Sequence, residues 1–272
     1  MNSDPTPAEI ERDLAFAIDA ARVAGQRALT LRASKRWHGD VLADVGDQAA
    51  DGFLQGYVRG RYPDDGILSE ETADSTARLA RERTWIIDPL DGTREFSELR
   101  DDWAVHVALT RNGKPYLGAV ALPVLEAVMW GVCGAPERMF GSEGAATLLT
   151  GETESADPPR VAVSRSHTPS WMPAFTREFS GVTVPCGSVG MKVALLLTGQ
   201  ADIYVHKKGL KEWDTCAPEA VACALGWTVC KLRGEQHRYN QADPKNHELV
   251  VCRPAWKDRV LAAIEACGAL KA

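Results

Sequence analysis

The sequence lacks the features that mark membrane, secreted and nucleic-acid-binding proteins. No segment stays apolar for the roughly 20 residues that a membrane-spanning helix needs. No apolar run follows a basic start, so the sequence shows no signal peptide. Basic residues are not in excess, since the net charge is −6 and the isoelectric point is about 5.6. We therefore expect neither a membrane nor a nucleic acid as partner.

The seven cysteines include no Cys-x-x-Cys pair. Their odd number and apolar surroundings predict buried, reduced thiols and a cytoplasmic location. Cys216 and Cys223 are spaced to share one helix face, but packing explains such thiols better than metal binding does. The sequence also lacks internal repeats, low-complexity segments and the Gly-x-x-x-x-Gly-Lys-Ser/Thr loop of nucleotide-triphosphate-binding proteins.

What remains is an ordinary globular composition, 45% apolar and 25% charged, over 272 residues. This length suffices for one large domain or two closely packed ones. The polar stretch 151–159 ends in two prolines and predicts a boundary. We expect an α+β half at residues 1–155, with an antiparallel sheet and the metal-binding residues, and an α/β substrate-binding half at residues 156–272.

The first half is predicted to begin with two helices. Thr6, Pro7 and Glu9 form a helix start with a capping box, and the apolar spacing extends that helix to about residue 31. A second helix is predicted at residues 48–59. A short strand at 67–71 follows, and then a meander with an Asn-Gly turn at 112–113; its strands are predicted at 103–110, 116–122 and 128–133.

The second half alternates strands with helices, which predicts a helix-flanked sheet. Gly199 and Gly226 fall where helix C-caps belong. The predicted strands are residues 160–164, 182–185, 201–205, 227–232 and 249–252, and the predicted helices are residues 169–179, 189–197, 215–225 and 255–266.

The most informative motif is Asp-Pro-Leu-Asp-Gly-Thr at residues 88–93, directly after an apolar, β-branched run. Pro89 fixes the backbone, and Gly92 permits the positive φ of a tight turn. Such a turn presents two carboxylates that suit a hard cation such as Mg²⁺, although Asp-Pro and Asp-Gly also occur in plain surface turns. Further carboxylates are predicted at the ends of other elements, namely Asp44 and Asp47, Glu70 and Glu71, and Asp214. Gathered without metal, these groups would repel one another.

Three blocks resemble signatures of the Mg²⁺-dependent inositol monophosphatase superfamily. They are the run at 88–93, Trp-Asp-Thr-Cys-Ala-Pro-Glu at 213–219, and Ser-Glu-Glu at 69–71. Their order and separation match as well, and the similarity extends over nearly the whole chain. The runs at 91–96, 187–192 and 199–202 resemble the 3′(2′),5′-bisphosphate nucleotidase branch, the CysQ-type enzymes. The resemblance implies a layered αβαβα sandwich.

The resemblance also implies roles for individual residues. Asp47 and Thr93 would orient and deprotonate the attacking water, and Thr93 could also be the N-cap of the next helix. The family usually has Thr at the position of Asp44, which here would join the metal site or face water. Glu71 would either contact the metal-binding residues without binding the metal itself or bind a third ion. A surface salt bridge is the alternative. Two or three Mg²⁺ ions would be held by Glu70, Asp88, Asp91, Asp214 and the carbonyl of Leu90.

Substrate contacts are implied by the same resemblance. For two of the implied residues an alternative to substrate binding stays open. Lys192 could be an exposed charge on a helix, and His167 could be a loop cap. The basic segment 206–211 would steer an anion or simply face solvent. The implied substrate-binding residues are Glu70, Gly92, Thr93, His167, Ser188, Lys192 and Asp214.

The implied activity is Mg²⁺-dependent, lithium-sensitive removal of the 3′-phosphate of 3′-phosphoadenosine 5′-phosphate, giving AMP and phosphate in sulfur metabolism. The expected partner is thus a small phosphate ester, bound by a monomer or homodimer. An inositol monophosphatase or a fructose-1,6-bisphosphatase-type sugar phosphatase is the alternative in the same class. A catalytically silent metal- or nucleotide-binding module is the alternative in another class.

Overall fold

The computed structural model describes residues 5–134, 139–144 and 157–271. The predicted boundary between residues 155 and 156 lies outside them. In the described part of the chain, the strands up to residue 144 form one sheet and the strands from residue 160 onward form another.

The first sheet has six strands in sequence order. β1 and β2 are parallel, and each later pair is antiparallel. The elements are α1 (Pro7–Ala33), α2 (Gly39–Arg61), β1 (Gly66–Ser69), β2 (Arg83–Asp91), α3 (Thr93–Ser97), β3 (Ala104–Arg111), β4 (Lys114–Leu122), β5 (Ala127–Val132) and β6 (Met139–Gly144).

The second sheet has five strands in the order β10-β11-β9-β7-β8. β8, β7 and β9 are parallel, whereas β11 runs antiparallel to both of its neighbours. The elements are β7 (Arg160–Ser164), α4 (Met172–Arg177), β8 (Val182–Cys186), α5 (Val189–Leu197), β9 (Ile203–Lys207), α6 (Glu212–Ala224), β10 (Thr228–Cys230), β11 (Glu248–Cys252) and α7 (Lys257–Ala266).

Alternation along the strands divides the core into separate layers. In β3, Val105 and Val107 belong to the cluster formed with α1 and α2, whereas Ala104 and Ala108 belong to the cluster formed with α5 and α6. In β11, Leu249 and Val251 belong to the cluster formed with α5 and α6, whereas Val250 and Cys252 belong to a third cluster that includes α4 and α7. The predicted αβαβα sandwich is confirmed.

Most predicted elements are present. The capping box at Thr6 starts α1, and both residues of the Asn-Gly turn at 112–113 take positive φ between β3 and β4. β7 and α5 have the predicted bounds. Gly199 and Gly226 also have positive φ just after α5 and α6, as expected for helix ends.

The starts of the helices predicted at 48–59, 169–179 and 215–225 were wrong by at least three residues, and α4 begins only at Met172. The other two errors concern carboxylates. α2 begins at Gly39, so Asp44 and Asp47 lie within the helix and not at its end. α6 begins at Glu212, which places Asp214 in its first turn. In α2 the packing of residues such as Gly46, whose Cα lies close to the Phe96 ring, outweighs the low helix propensity of glycine. Strand β6 was not predicted, because only two of its six residues, Met139 and Phe140, are apolar and two others are glycines.

α6 lies very close to the first sheet at Gly118 and Gly131. A Cβ on Gly118 would lie 2.7 Å from the carbonyl oxygen of Ala217, and one on Gly131 would lie 2.7 Å from the Cβ of Ala224. Glycine therefore sets the distance between the sheet and the helix that carries Asp214.

We predict that Gly118→Ala lowers the free energy of unfolding by about 1–3 kcal/mol, since the methyl group meets backbone that cannot move aside. Gly56→Ala is the matched control. Gly56 is exposed in α2 with open space around it, so the same change should raise stability by about 0.5–1 kcal/mol. Urea unfolding of both variants measures this, and equal effects would contradict the close-packing account.

Candidate active site

Asp88 and Asp91 lie where β2 ends and its pairing with β3 shifts register. The interruption lets the chain turn while both carboxylates stay inside the protein, with Asp88 1% and Asp91 6% exposed. The amide of Leu90 donates to Asp88 Oδ1 at 3.1 Å, and Gly92 takes a φ of 92°. The alternative of a plain surface turn is therefore wrong.

Asp214 reaches the same place from the first turn of α6. The amide of Lys211 donates to Asp214 Oδ2 at 2.7 Å and so orients this carboxylate. Pro218, one turn later, lacks the N–H that would bond to the Asp214 carbonyl. Carboxylate oxygens of Asp88, Asp91 and Asp214 all lie within 4.8 Å of one another.

The electrostatics of this cluster suit a bound cation. Burial and then the neighbouring carboxylates raise the pKa of Asp88 well above its usual range and that of Asp214 to about 7. Glu70 reaches solvent at the edge of the cluster, yet loss of surrounding water and the charges of Asp214 and Glu71 raise its pKa to about 7. Hard cations prefer such oxygen ligands, and their charge would remove the repulsion. The predicted carboxylates thus form a site whose chemistry fits Mg²⁺.

Asp91 differs from its neighbours. Burial alone would raise its pKa, but His106, Lys192 and the amide of Gly190 outweigh that effect and lower it. Gly190 N–H donates to Asp91 Oδ2 at 2.7 Å. Asp91 is therefore the carboxylate of this cluster whose charge the protein itself compensates best.

Asp47 faces the cluster from α2 and is buried. Its pKa is raised to about 8, chiefly by burial and then by Glu71 and Glu70, while hydrogen bonding to Thr93 lowers it. Asp47 Oδ1 has no hydrogen-bond partner among the described residues. A buried carboxylate oxygen without a partner is costly and suggests that a molecule from solution occupies the space beside it.

Thr93 joins Asp47 to the turn after β2. Its hydroxyl lies 3.0 Å from the Leu90 carbonyl and close enough to Asp47 to lower the pKa of that group. Gly92 is the N-cap of α3 and Thr93 is its first residue, so the alternative of Thr93 as N-cap is wrong.

Asp51 holds the other acidic segment against α2. Its carboxylate accepts hydrogen bonds from Ser69 Oγ at 2.5 Å and Thr72 Oγ1 at 2.6 Å. Glu71, between them, is exposed, and its pKa is raised by burial and by the charges of Asp51 and Asp44. No residue of the described chain forms a salt bridge with Glu71, and Asp44 is an exposed member of the same acidic face.

Ser188 precedes α5 as its N-cap and Lys192 lies in the first turns of this helix, whose start approaches the site. Ser188 caps this helix by accepting from the amide of Met191 at 2.8 Å, and a Cβ on Gly92 would lie 3.2 Å from the Cβ of Ser188. Lys192 is only 3% exposed, so the alternative of an exposed helix charge is wrong. Its ammonium donates to the carbonyl of Gly187.

His167 lies on the loop after β7, with an exposed side chain. Its backbone amide donates to Ser164 Oγ at 3.3 Å, so in this loop the capping side chain is that of Ser164 and not that of His167. Burial lowers the pKa of His206 to about 4, and the nearby charges of Lys192 and His167 act in the same direction. His206 therefore lies near both His167 and Lys192.

His106 is the residue of this site that the sequence analysis missed. It lies in β3 opposite Asp88, with Nε2 3.1 Å from Asp91 Oδ2. The signal was its position in an alternating strand, on the same face as Ala104 and Ala108. A polar residue on that buried face needs a polar partner.

Comparison with known proteins agrees with this geometry. The model of the inositol monophosphatase family matches residues 9–269. The chain belongs to this family. The family resemblance predicted from the three acidic blocks is thereby confirmed.

Two curated relatives and one solved structure illustrate the similarity. The 3′-phosphoadenosine 5′-phosphate phosphatase of Mycobacterium tuberculosis is 38% identical over 231 residues, 82% of each chain. The 3′(2′),5′-bisphosphate nucleotidase CysQ of Escherichia coli is 32% identical over 194 residues, 71% of this chain and 77% of that one. CysQ of Bacteroides thetaiotaomicron, a bacterial member of the family, superposes with a TM-score of 0.77 at 25% identity, over 89% of this chain and 97% of that one.

The family membership and the acidic cluster together identify the site as a metal-dependent centre. The described part of the chain contains no helix that is long and apolar enough to cross a membrane. Four of the seven cysteines are buried thiols, as predicted, namely Cys186, Cys216, Cys230 and Cys252, whereas Cys133, Cys223 and Cys267 are only half-buried.

We predict that Asp47→Asn stabilises the metal-free protein more at pH 8 than at pH 4. The pKa of Asp47 rises from 3.8 to about 8 on folding, so between these values the folded chain keeps a proton that the unfolded chain releases. The contribution of Asp47 to stability therefore falls as the pH rises through this window. Urea unfolding in EDTA measures the difference in the free energy of unfolding between variant and wild type. A difference that does not change with pH would contradict this prediction.

Proposed function

We propose that the chain is a Mg²⁺-dependent 3′(2′),5′-bisphosphate nucleotidase. Its substrate would be 3′-phosphoadenosine 5′-phosphate, hydrolysed to AMP and phosphate. The observation that carries the proposal is the convergence of Asp88, Asp91 and Asp214 beside Asp47. The relatives named for this activity at 36–38% identity support the choice of substrate.

The proposed ligands of two or three Mg²⁺ ions are the carboxylates of Glu70, Asp88, Asp91 and Asp214 and the carbonyl of Leu90. Bound Mg²⁺ would supply Lewis-acid stabilisation of the charge on the phosphate and on the departing oxygen. Glu71 would support these ligands or take part in holding a third ion. Lithium sensitivity follows from this proposal, because Li⁺ would compete for one of the cation positions.

The attacking water would lie between Asp47 and Thr93. Asp47 Oδ1 has no partner in the described chain and would accept the proton of this water. The Thr93 hydroxyl can turn between Leu90 and Asp47, so it would orient the water for attack on phosphorus and pass its proton on to Asp47. Positive charge in the site would lower the pKa of Asp47, so that it is an acceptor near neutral pH.

The proposed phosphate contacts lie on the turn at Gly92 and Thr93 and on the start of α5. Ser188 and Lys192 bring this helix against the site, and Lys192 carries a buried positive charge that would balance a bisphosphate. His167, exposed after β7, would contact the nucleoside. The partner that this mechanism requires is a small phosphate ester. The proposed form of the protein is a monomer or homodimer.

We predict that the purified protein releases phosphate from 3′-phosphoadenosine 5′-phosphate with Mg²⁺ and not with EDTA. At equal Mg²⁺, its kcat/KM for the nucleotide should exceed that for inositol 1-phosphate and fructose 1,6-bisphosphate by at least about tenfold, which corresponds to about 1.4 kcal/mol of discrimination by the pocket. Preference for either sugar phosphate would overturn the substrate proposal.

Asp91→Asn tests the centre itself and should lower kcat by about 10²-fold or more, because the variant loses an ionised ligand. Asp258→Asn is the matched control, since Asp258 is exposed in the first turn of α7 on the outer layer. It should retain wild-type activity. Undiminished release by Asp91→Asn would remove this cluster from the mechanism, and no release by the wild type from any ester would favour the silent module.

We predict that Thr93→Ala lowers kcat by about 10²–10⁴-fold, the range that positioned proton transfer contributes. Thr93→Ser keeps the hydroxyl and should retain most of the activity. Steady-state kinetics with saturating Mg²⁺ provide the comparison. Equal losses in the two variants would show that the methyl group, and not the hydroxyl, matters.

A further inference from the structure

His106 contacts both parts of the chain that supply the carboxylate cluster. It is fully buried in β3, with Nε2 3.1 Å from Asp91 Oδ2 and Nδ1 3.9 Å from Asp88 Oδ2. Nδ1 is also 3.2 Å from the carbonyl oxygen of Trp213. Trp213 directly precedes Asp214, so one imidazole ring spans the end of β2 and the first turn of α6.

The start of α5 is fitted to the same ring. A Cβ on Gly190 would lie 2.3 Å from His106 Nε2 and 2.9 Å from Val120, so only glycine can occupy this position without displacing the imidazole. The amide of Gly190 can therefore reach Asp91 Oδ2 and donates to it at 2.7 Å. Two nitrogen atoms thus approach one oxygen of Asp91.

The role of His106 depends on the geometry of the contact between its Nε2 and Asp91. Nε2 lies 3.1 Å from Asp91 Oδ2, but the contact is too poorly aligned to count as a hydrogen bond, and Nε2 has no hydrogen-bond partner among the described residues. With a proton on each ring nitrogen, Nε2–H can reach Asp91 Oδ2 while Nδ1–H faces the Trp213 carbonyl. Because both contacts use Oδ2, Oδ1 of Asp91 is left for a cation.

We propose that His106 is a positioning residue, which holds Asp91 Oδ2 together with the Gly190 amide and thereby presents Asp91 Oδ1 to the metal. Through Trp213 it also sets the distance between Asp91 and Asp214. This inference rests on the metal centre of the proposed function. Groups that orient metal-binding side chains in this way typically change metal affinity by about 10–100-fold when they are removed.

The test is binding of Mn²⁺ alone, followed by electron paramagnetic resonance, to the full-length chain and three variants. His106→Leu removes both nitrogens and should weaken binding by about 10–100-fold. His106→Gln places an amide N–H near the position of Nε2 and should recover binding to within about threefold of wild type. His106→Asn places its amide near Nδ1, keeps only the Trp213 contact and should bind as weakly as His106→Leu.

Thr110→Val is the matched control for damage to β3. Thr110 is buried on the same strand, and its hydroxyl donates to the Thr84 carbonyl at 3.0 Å. Its loss should lower the melting temperature in EDTA without changing Mn²⁺ affinity. If His106→Leu does not fold, the comparison of the Gln and Asn variants still decides the question.

Two results would overturn the inference while leaving the metal centre intact. One is Mn²⁺ affinity in His106→Leu within twofold of wild type. The other is equal weakening in the Gln and Asn variants, in proportion to their melting temperatures. Absence of Mn²⁺ binding by the wild-type protein would instead overturn the metal centre, and the inference with it.

Discussion

Mutual repulsion among buried carboxylates limits how this chain can fold. Asp88, Asp91 and Asp214 come from two widely separated segments, yet their oxygens lie within 4.8 Å of one another. Each buried charge that lacks a counter-charge costs free energy, which the raised pKa values of Asp88 and Asp214 express. A site that holds such groups together at that cost is suited to a cation, and we interpret the surrounding architecture as a frame that keeps them in place.

The frame consists of short, specific contacts in addition to apolar packing. Gly118 lets α6 lie close to the first sheet, and the amide of Lys211 orients Asp214. Asp51 fastens the segment of Glu70 to α2 through Ser69. The layered core supplies the bulk of the stability, while these contacts decide where the acidic oxygens lie.

Much of the fold follows from local rules, whereas the site depends on contacts between distant segments. The capping box at Thr6 and the Asn-Gly turn at 112–113 are local, and both were predicted correctly. The early start of α2 was not, because packing at Gly46 outweighs glycine's low helix propensity. The acidic residues were recognised from their motifs, but the burial of Lys192 and the position of His106 depend on which strands and helices meet. Sequence spacing alone does not contain that information.

The most direct measurement of the central claim is a crystal structure of the protein soaked in Mn²⁺, with anomalous diffraction used to locate the ion. We predict one anomalous peak that lies about 2–2.5 Å from a carboxylate oxygen of each of Asp88, Asp91 and Asp214, as expected for oxygen ligands of a divalent ion. A clear map with no peak among these three residues, or with the three side chains directed into separate regions, would contradict it.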